Sequence, residues 1–520
     1  MASEEENVLY RGEGIRNLVL SNIKDKQVYR LQKIVQRYKT DEILDGNQSE
    51  TEEERSLHIH QNLQGVVNYI HNVMQPLLSS DFVYVPRLTQ IPKGFVEKVE
   101  SEIEHLRPVY RKIHDEDFKT IDPATCSALV LPDLCFVGDS TSSAHPKQHY
   151  TPTISVEIKP KKGFMPAPEC LVKEDSIKGK VCKFCMHKKL KVKEGRWNNS
   201  SHYCPLDLFS GDRQRMKHAL LSLYGIPQNN FKVFQDGREV FSDTVKEDLT
   251  GILHSFFGDS VNGLKNGLQK QHELHAFLDL IVDALLSAPE GKKPPLICHT
   301  ESNQVIPSSC VQTNGGSEGK GHDSSEVKII NGTKLCSSNF CSKSSYPNIE
   351  NSQNDASVML SAPDSVLGRI LCTQKLDDMS DIDGVFPLYQ RVKDHLKAHP
   401  EDRCKFGVYG PFTKELWLEP CIQSLDTEDK DSLEYAVYKV KRFIVSKTMQ
   451  DCSIMVAMQR CPSCSQSKSA GVPPFLTDNH GRRFHCSVSI IDLDPKPFDK
   501  LTKYNQLEKN ILQAYTELTA

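Results

Sequence analysis

The sequence predicts a mixed α/β (α+β) fold, and three observations carry that reading. Short β-type runs fill the first forty residues, amphipathic helical patterns take over from residue 57, and an apolar strand pair returns near the C-terminus. At 520 residues the chain can bury one large two-lobed core or a few ordinary domains.

The elements follow in order. Residues 8–11, 17–21 and 28–33 read as short strands, separated by a glycine-containing loop and by the turn Lys24-Asp25-Lys26. The charged stretch 40–55 reads as a loop. Helical periodicity covers 57–78 and 95–106, and Pro108 stops the second helix. Residues 127–131 and 153–158 alternate as strands do, whereas 212–224 and 273–288 read as amphipathic helices. From 289 to 362 Ser, Asn, Gly and Pro dominate and no period survives. Such a stretch buries too little apolar surface to offset its ordering entropy, so a disordered insert is expected. Helices are expected again at 386–398 and 432–447, a strand pair at 452–458 and 484–491, and a last helix at 500–518. This divides the chain into an N-terminal lobe with a glycine loop (1–150), the start of a C-terminal lobe (151–288), the insert (289–362) and the rest of that lobe (363–520).

A net charge of −4 with 25% charged residues is an ordinary globular balance and does not suggest a dedicated nucleic-acid binder. No window approaches the roughly 18 uninterrupted apolar residues of a membrane span, and the acidic residues 1–7 carry no secretory pattern. Seventeen scattered cysteines then read as reduced thiols of the cytoplasm or nucleus, some of them free to bind metal.

Candidate chemistry lies in four places. Arg11-Gly12-Glu13-Gly14-Ile15-Arg16-Asn17 joins two strands, which is how protein-kinase-like folds cover ATP phosphates with backbone N–H groups; a P-loop would need Gly-Lys-Ser/Thr and a helix. Arg30 lies mid-strand just beyond, where such folds place a phosphate-pairing cation. Asp451 precedes one apolar strand and Asp492 follows another, with Asp494 close by. If those strands pair antiparallel, both aspartates converge at one sheet edge, and phosphoryl transfer needs one carboxylate for the acceptor and another for Mg2+. Lysines gather at Lys159, Lys161 and Lys162, at Lys188, Lys189, Lys191 and Lys193, and at Lys496 and Lys500, with Tyr504 four residues on. Cations converging from separate segments suit a ligand with many phosphates, and sparse aromatic residues disfavour a base-stacking platform.

These residues resemble a known family. Glu157-Ile158-Lys159-Pro160-Lys161 with Gly163-Phe164 resembles the Glu-x-Lys-Pro-Lys signature of inositol-pentakisphosphate 2-kinases. Tyr10 to Gly14 with Asn17 to Leu20, Tyr203 to Gly211, Gln228 to Phe231, Asp451 to Met455, and Ile491 to Asp494 with Lys496-Pro497 resemble the same family, in order, across nearly the whole chain except the insert. The resemblance implies a two-lobed kinase, distantly like protein kinases, that moves the ATP γ-phosphate to the 2-hydroxyl of inositol 1,3,4,5,6-pentakisphosphate and yields inositol hexakisphosphate. At matching positions it implies ATP contacts for Gly14, Ile15, Asn17, Arg30, Asp133, Glu157 and Lys232, Mg2+ binding for Asp492, and acceptance of the substrate proton by Asp451. Arg111, Lys159, Lys161, Lys191, Asn229, Lys496, Lys500 and Tyr504 would grip inositol phosphates. Position 500 is Lys where some relatives have Arg, and the further basic substrate residue after Arg30 is either Lys33 or Arg37. A monomer needing neither membrane nor nucleic acid is expected.

Cys182-Lys183-Phe184-Cys185-Met186-His187 has zinc-knuckle spacing, and His202-Tyr203-Cys204 follows. Cys182, Cys185, His187 and Cys204 form the expected structural zinc set, with His202 competing for the fourth place. On a continuous helix His187 would point away from both cysteines, so this set requires a turn there. Cys461 and Cys464 form a second, weaker pair, and the aspartate spacing of 377–384 does not fit an EF-hand. The rival to an enzyme is a zinc-stabilised module that only binds inositol phosphates or RNA. A pure binder has no use for paired carboxylates in a lysine-lined site, where they would repel the ligand, so the sequence favours catalysis.

Overall fold

In a computed structural model the described residues are 8–37, 51–114, 117–138, 151–166, 171, 177–258, 266–289, 362–376, 381–425, 429–461 and 475–519. The expected insert falls almost wholly outside them, as do Cys464 and residues 377–380.

The first sheet is antiparallel and has seven strands: β1 (Val8–Glu13), β2 (Asn17–Asn22), β3 (Gln27–Arg37), β4 (Arg87–Gln90), β5 (Ile113–His114), β6 (Asp117–Ile121) and β7 (Ser127–Pro132). Strand β3 is the branch point, pairing with β2, β6 and β7. Period-two alternation turns Leu18, Leu20 and Leu31 inward, where all three are fully buried. Val96, Val99 and Ile103 cover them from one face of a helix.

Helix α1 (Glu52–Tyr69) begins inside the stretch expected to be a loop. Thr51 caps it: its hydroxyl accepts from the Glu54 amide while Glu54 reaches back to the Thr51 amide, and three glutamates occupy the first turn. This capping box was legible in Thr51-Glu52-Glu53-Glu54 and outweighs the high local charge. The helix continues through a wide turn (Ile70–Met74) to Leu78. Its N-terminal half packs Ile59 and Leu63 on Leu129 of β7, and its C-terminal half sinks Tyr69, Val73 and Leu77 into the second core. The remaining helices used below are α2 (Phe95–Ile103), α3 (Val109–Lys112), α4 (Lys183–Lys193), α5 (Arg213–Gly225), α6 (Asn266–Leu286), α7 (Val366–Gln374), α8 (Ile382–Ala398), α9 (Leu433–Met449) and α10 (Lys500–Thr519).

The second sheet has six antiparallel strands in the order β10-β9-β8-β11-β13-β12, where β8 is Thr153–Ile158, β9 Phe231–Gln235, β10 Arg238–Phe241, β11 Ser453–Arg460, β12 Phe475–Thr477 and β13 Arg483–Ile491. Its central strands turn Ile154, Val156 and Ile158 of β8 and Ile454, Val456 and Met458 of β11 into the large core, which helices α5, α6, α7 and α9 complete. The expected strand pair is present in register, Ser453 opposite Ile491 and Arg460 opposite Phe484. Consequently the end of β8, the start of β9, the start of β11 and the end of β13 share one sheet edge.

Candidate active site

Four chain segments leave the second sheet at that edge, and each carries residues singled out above. Lys159 and Lys161 follow β8, Asn229 precedes β9, Asp451 precedes β11 and Asp492 follows β13. Glu157 lies opposite Lys232 on β9 and Met455 on β11. Lys161, Asn229 and Asp492 adopt left-handed backbone, with φ of 64°, 57° and 63°. For a residue with a Cβ this costs about 1 kcal/mol or more, and such strain collects where side chains must be aimed.

The cationic turn is held from behind. Gln374, fully buried at the end of α7, donates to Lys161 O (2.8 Å) and Met449 O (3.1 Å) and accepts from the Gly163 amide (2.9 Å). The Tyr203 hydroxyl donates to Pro160 O at 2.8 Å. Gly163 has no room for a side chain, because a Cβ would sit 2.4 Å from the Phe209 ring. Gly163 and Tyr203 lie in blocks singled out in the sequence, whereas Gln374 had no signal there, since a glutamine ends many helices.

A cleft of about 260 Å³ opens between the two sheets. Val19, Val28 and Leu131 line it from the first sheet, and Phe234, Met455 and Ile490 from the second. Gly14, Arg30, Arg111, Asp133, Glu157, Lys159, Asn229, Lys232 and Asp492 all border it. Ile15 does not: it is 63% exposed at the tip of the loop. Asn17 does not line the cleft either; its amide donates to Asp494 Oδ2 at 3.0 Å, and Arg30 ion-pairs with the same carboxylate. Asp494 therefore ties the first sheet to the second. The carboxylate of Asp133 is taken by Arg11 and Ser21, so it braces the strand linker. Lys33 is corrected as a substrate candidate: it is buried 2.5 Å from Glu13, which also receives the forked guanidinium of Arg107 at 3.0 Å on both oxygens. That triad anchors the back of the glycine loop, and nothing in the local sequence pairs its three distant members.

Around Asp451 the charges are arranged for an anion. Lys496 lies 2.7 Å and Lys161 3.8 Å from its carboxylate, whose side chain is 61% exposed. Desolvation opposes ionisation there, but the charges of Lys496 and Lys161 prevail and hold Asp451 at about 2. Lys159 lies 3.9 Å from Glu157; burial would lower it, and Glu157, Asp492 and Asp451 together raise it. Burial pushes Lys161 down, with Lys159 and Lys496 adding to the effect. Lys500 is also lowered, first by burial and then by Arg16 and Lys496, and burial pushes Tyr504 up to about 12. Of the second lysine group, Lys191 is within electrostatic reach of Lys161 and Asp451. Lys188 turns inward and donates to Ser201 O and Tyr203 O, and Lys193 pairs with Glu517.

Ser453, fully buried, bridges two of the cleft carboxylates, with its hydroxyl 2.9 Å from Glu157 Oε1 and 3.2 Å from Asp492 Oδ2. Asp494 Oδ1 is buried without a hydrogen-bond partner among the described residues. Glu157 and Asp492, brought together by Ser453, offer the hard oxygen donors that suit a Mg2+ ion.

Beyond the cleft, the sulfur atoms of Cys182, Cys185 and Cys204 lie within 4.8 Å of one another. His187 is not with them, which corrects the expected fourth ligand: α4 runs without a turn from Lys183, and helical geometry sends His187 to another face. His202 is exposed and likewise outside the group.

Such a cleft has the chemistry of a kinase. Comparison with known proteins then gives the family: residues 10–510 match the family model described as inositol-pentakisphosphate 2-kinase, and the chain belongs to that family. It is 32% identical to the zebrafish (Danio rerio) inositol-pentakisphosphate 2-kinase over 527 residues, covering 99% of this chain and 94% of the relative. The Arabidopsis thaliana protein of the same name is 27% identical, over 98% of this chain and 92% of its own length. A rice protein (Oryza sativa subsp. indica) is 26% identical over 98% and 93%.

Proposed function

We propose that the chain transfers the γ-phosphate of ATP to the 2-hydroxyl of inositol 1,3,4,5,6-pentakisphosphate, forming inositol hexakisphosphate. The observation that carries this reading is the convergence of Asp451 and Asp492 on one sheet edge, through the Ser453–Ile491 register, amid Lys159, Lys161 and Lys496. The apolar walls suit a purine ring, and Arg30 and Lys232 suit its phosphates. Asp492, with Glu157 and Asp494 at hand, would hold Mg2+, which when bound draws charge from the transferring phosphate.

Asp451 acts as the proton acceptor, and its depressed pKa has a purpose in this reading. Lys496 and Lys161 are engaged by Asp451 until substrate phosphates arrive. Once those phosphates take up the ammonium charges, Asp451 loses its partners, its proton affinity rises, and it becomes a competent base beside the hydroxyl. Lys159, Asn229, Lys500, Tyr504 and Arg111 fix the ring so that one hydroxyl faces Asp451.

The test is incubation with ATP, Mg2+ and a panel of inositol phosphates differing in which hydroxyl is free. ATP should be consumed with substrates whose 2-hydroxyl is free and whose remaining positions are phosphorylated. Tight binding without ATP consumption would instead identify the non-enzymatic module.

For the three-cysteine cluster we propose a structural zinc ion. Three thiols this close repel as thiolates unless protonated or metal-bound, and zinc accepts that donor set. Protein purified without chelator should carry about one zinc per chain, and Cys182→Ser with Cys185→Ser should abolish it by elemental analysis. Zinc retained in that double variant would place the metal elsewhere.

A further inference from the structure

Most cations at this site are held by carboxylates: Lys161 and Lys496 by Asp451, Arg30 by Asp494, Lys232 by Glu239. Lys191 is different. Among the described residues it forms no ion pair, and its ammonium instead lies 4.0 Å from the centre of the Trp197 ring. The chain builds this contact deliberately. Helix α4 ends at Lys193, Gly195 turns with φ of 68°, and the amides of Arg196 and Trp197 both donate back to Lys191 O, at 2.9 and 3.3 Å. That turn brings the indole over a lysine in the last turn of the helix. The indole packs against the large core and also borders a second, shallow surface pocket with Arg196, Asn199, Gln228 and Lys246.

We propose that Trp197 is a positioning residue of the inositol-phosphate site, holding the Lys191 ammonium in place for a substrate phosphate by a cation–π contact. The inference rests on the assignment of Lys191 as a phosphate ligand. The physical advantage is specific to a polyanionic substrate. A carboxylate partner would orient Lys191 equally well, but it would neutralise the charge and repel the incoming phosphate. An aromatic face attracts the cation through its quadrupole and carries no net charge, so the full positive charge remains available. Support against deprotonation matters here, because burial, followed by the charges of Lys161 and Arg196, pushes Lys191 down to about 8.

The experiment uses the full chain and inositol pentakisphosphate as probe. Lys191→Met, Trp197→Leu, Trp197→Phe and the double variant Lys191→Met/Trp197→Leu are compared for KM and kcat, with melting curves showing that each folds. Trp197→Leu should raise KM for the inositol phosphate about 5- to 10-fold, the range of a partly desolvated cation–π contact, and leave KM for ATP unchanged. Trp197→Phe should recover part of the loss. The double variant should be no worse than Lys191→Met alone, because Trp197 acts through the lysine. The chain holds two tryptophans, the other being the buried Trp417, so a substrate-induced emission change missing from Trp197→Phe reports this ring directly. Failure of Lys191→Met to raise KM would remove the lysine assignment itself. A raised KM in Lys191→Met with wild-type KM and emission response in the Trp197 variants, or effects that add in the double variant, would overturn the role given to Trp197.

Discussion

Asp451→Asn is expected to lower turnover by roughly 10²- to 10⁴-fold, the span attributed to a positioned general base, with binding of inositol pentakisphosphate retained or tightened. Removing the carboxylate leaves the cationic cradle intact, and Lys496 and Lys161, which lie 2.7 and 3.8 Å from Asp451, no longer have to be drawn away from it. The loss should therefore fall on kcat and not on KM. Single-turnover kinetics and calorimetric titration of the variant separate the two. Turnover close to wild type would remove Asp451 from the chemistry; a large loss of affinity would make it a substrate ligand or a structural residue.

The second large effect is expected far from any reacting atom. Lys500 and Tyr504 share a face of α10, and the next residue at the same spacing is Glu508, which is 1% exposed. Its carboxylate ion-pairs with Lys183 of α4 and lies 3.6 Å from Lys178, which in turn binds Asp381 at 2.8 Å at the start of α8. One buried acid thus bolts the substrate-gripping helix to α4, which carries Lys191. Burial alone would raise its pKa; Lys183 and Lys178 overcome that and hold Glu508 at about 2. Glu508→Ala removes the carboxylate that Lys183 pairs with and one of the three around Lys178, and breaking a buried pair costs about 3–5 kcal/mol. A melting temperature lower by about 3–5 °C follows for a chain of this size.

The pH dependence has a definite sign. A carboxyl depressed in the folded state contributes stability that is whole above its unfolded pKa of ~4.3 and is lost as pH falls through about 2, a contribution of about 3 kcal/mol. In Glu508→Gln that part of the acid loss of stability should be missing. A variant that melts like wild type and loses stability in acid in parallel with it would show that the network contributes nothing.

What the sequence made legible follows the range of the forces involved. Alternation along 153–158, the strand pair at 452–458 and 484–491, and the aspartates flanking the late strands are local patterns, and each is realised in the second sheet. The capping box at Thr51 was equally local and was outvoted by the charge of its surroundings. Contacts between distant segments left no such trace. Gln374 behind Lys161, Arg107 on Glu13 and Ser453 between Glu157 and Asp492 are separated in sequence by 213, 94 and up to 296 residues. Each is a single polar side chain whose purpose exists only once the sheets have formed. Zinc-knuckle spacing misplaced His187 for a related reason: Cys-x-x-Cys is compatible with a helix as well as with a turn, and the helix was the outcome.

Phosphoryl transfer to a single ring position is expected to depend on Asp451 at the edge where β11 and β13 pair. The most direct measurement is a reaction of the purified chain with γ-labelled ATP, Mg2+ and inositol 1,3,4,5,6-pentakisphosphate, with the label then located on the product ring by phosphorus NMR. Label at position 2 alone is expected, formed by the wild-type chain and not by Asp451→Asn. Label at another position, or at position 2 with undiminished rate in the Asp451 variant, would contradict it.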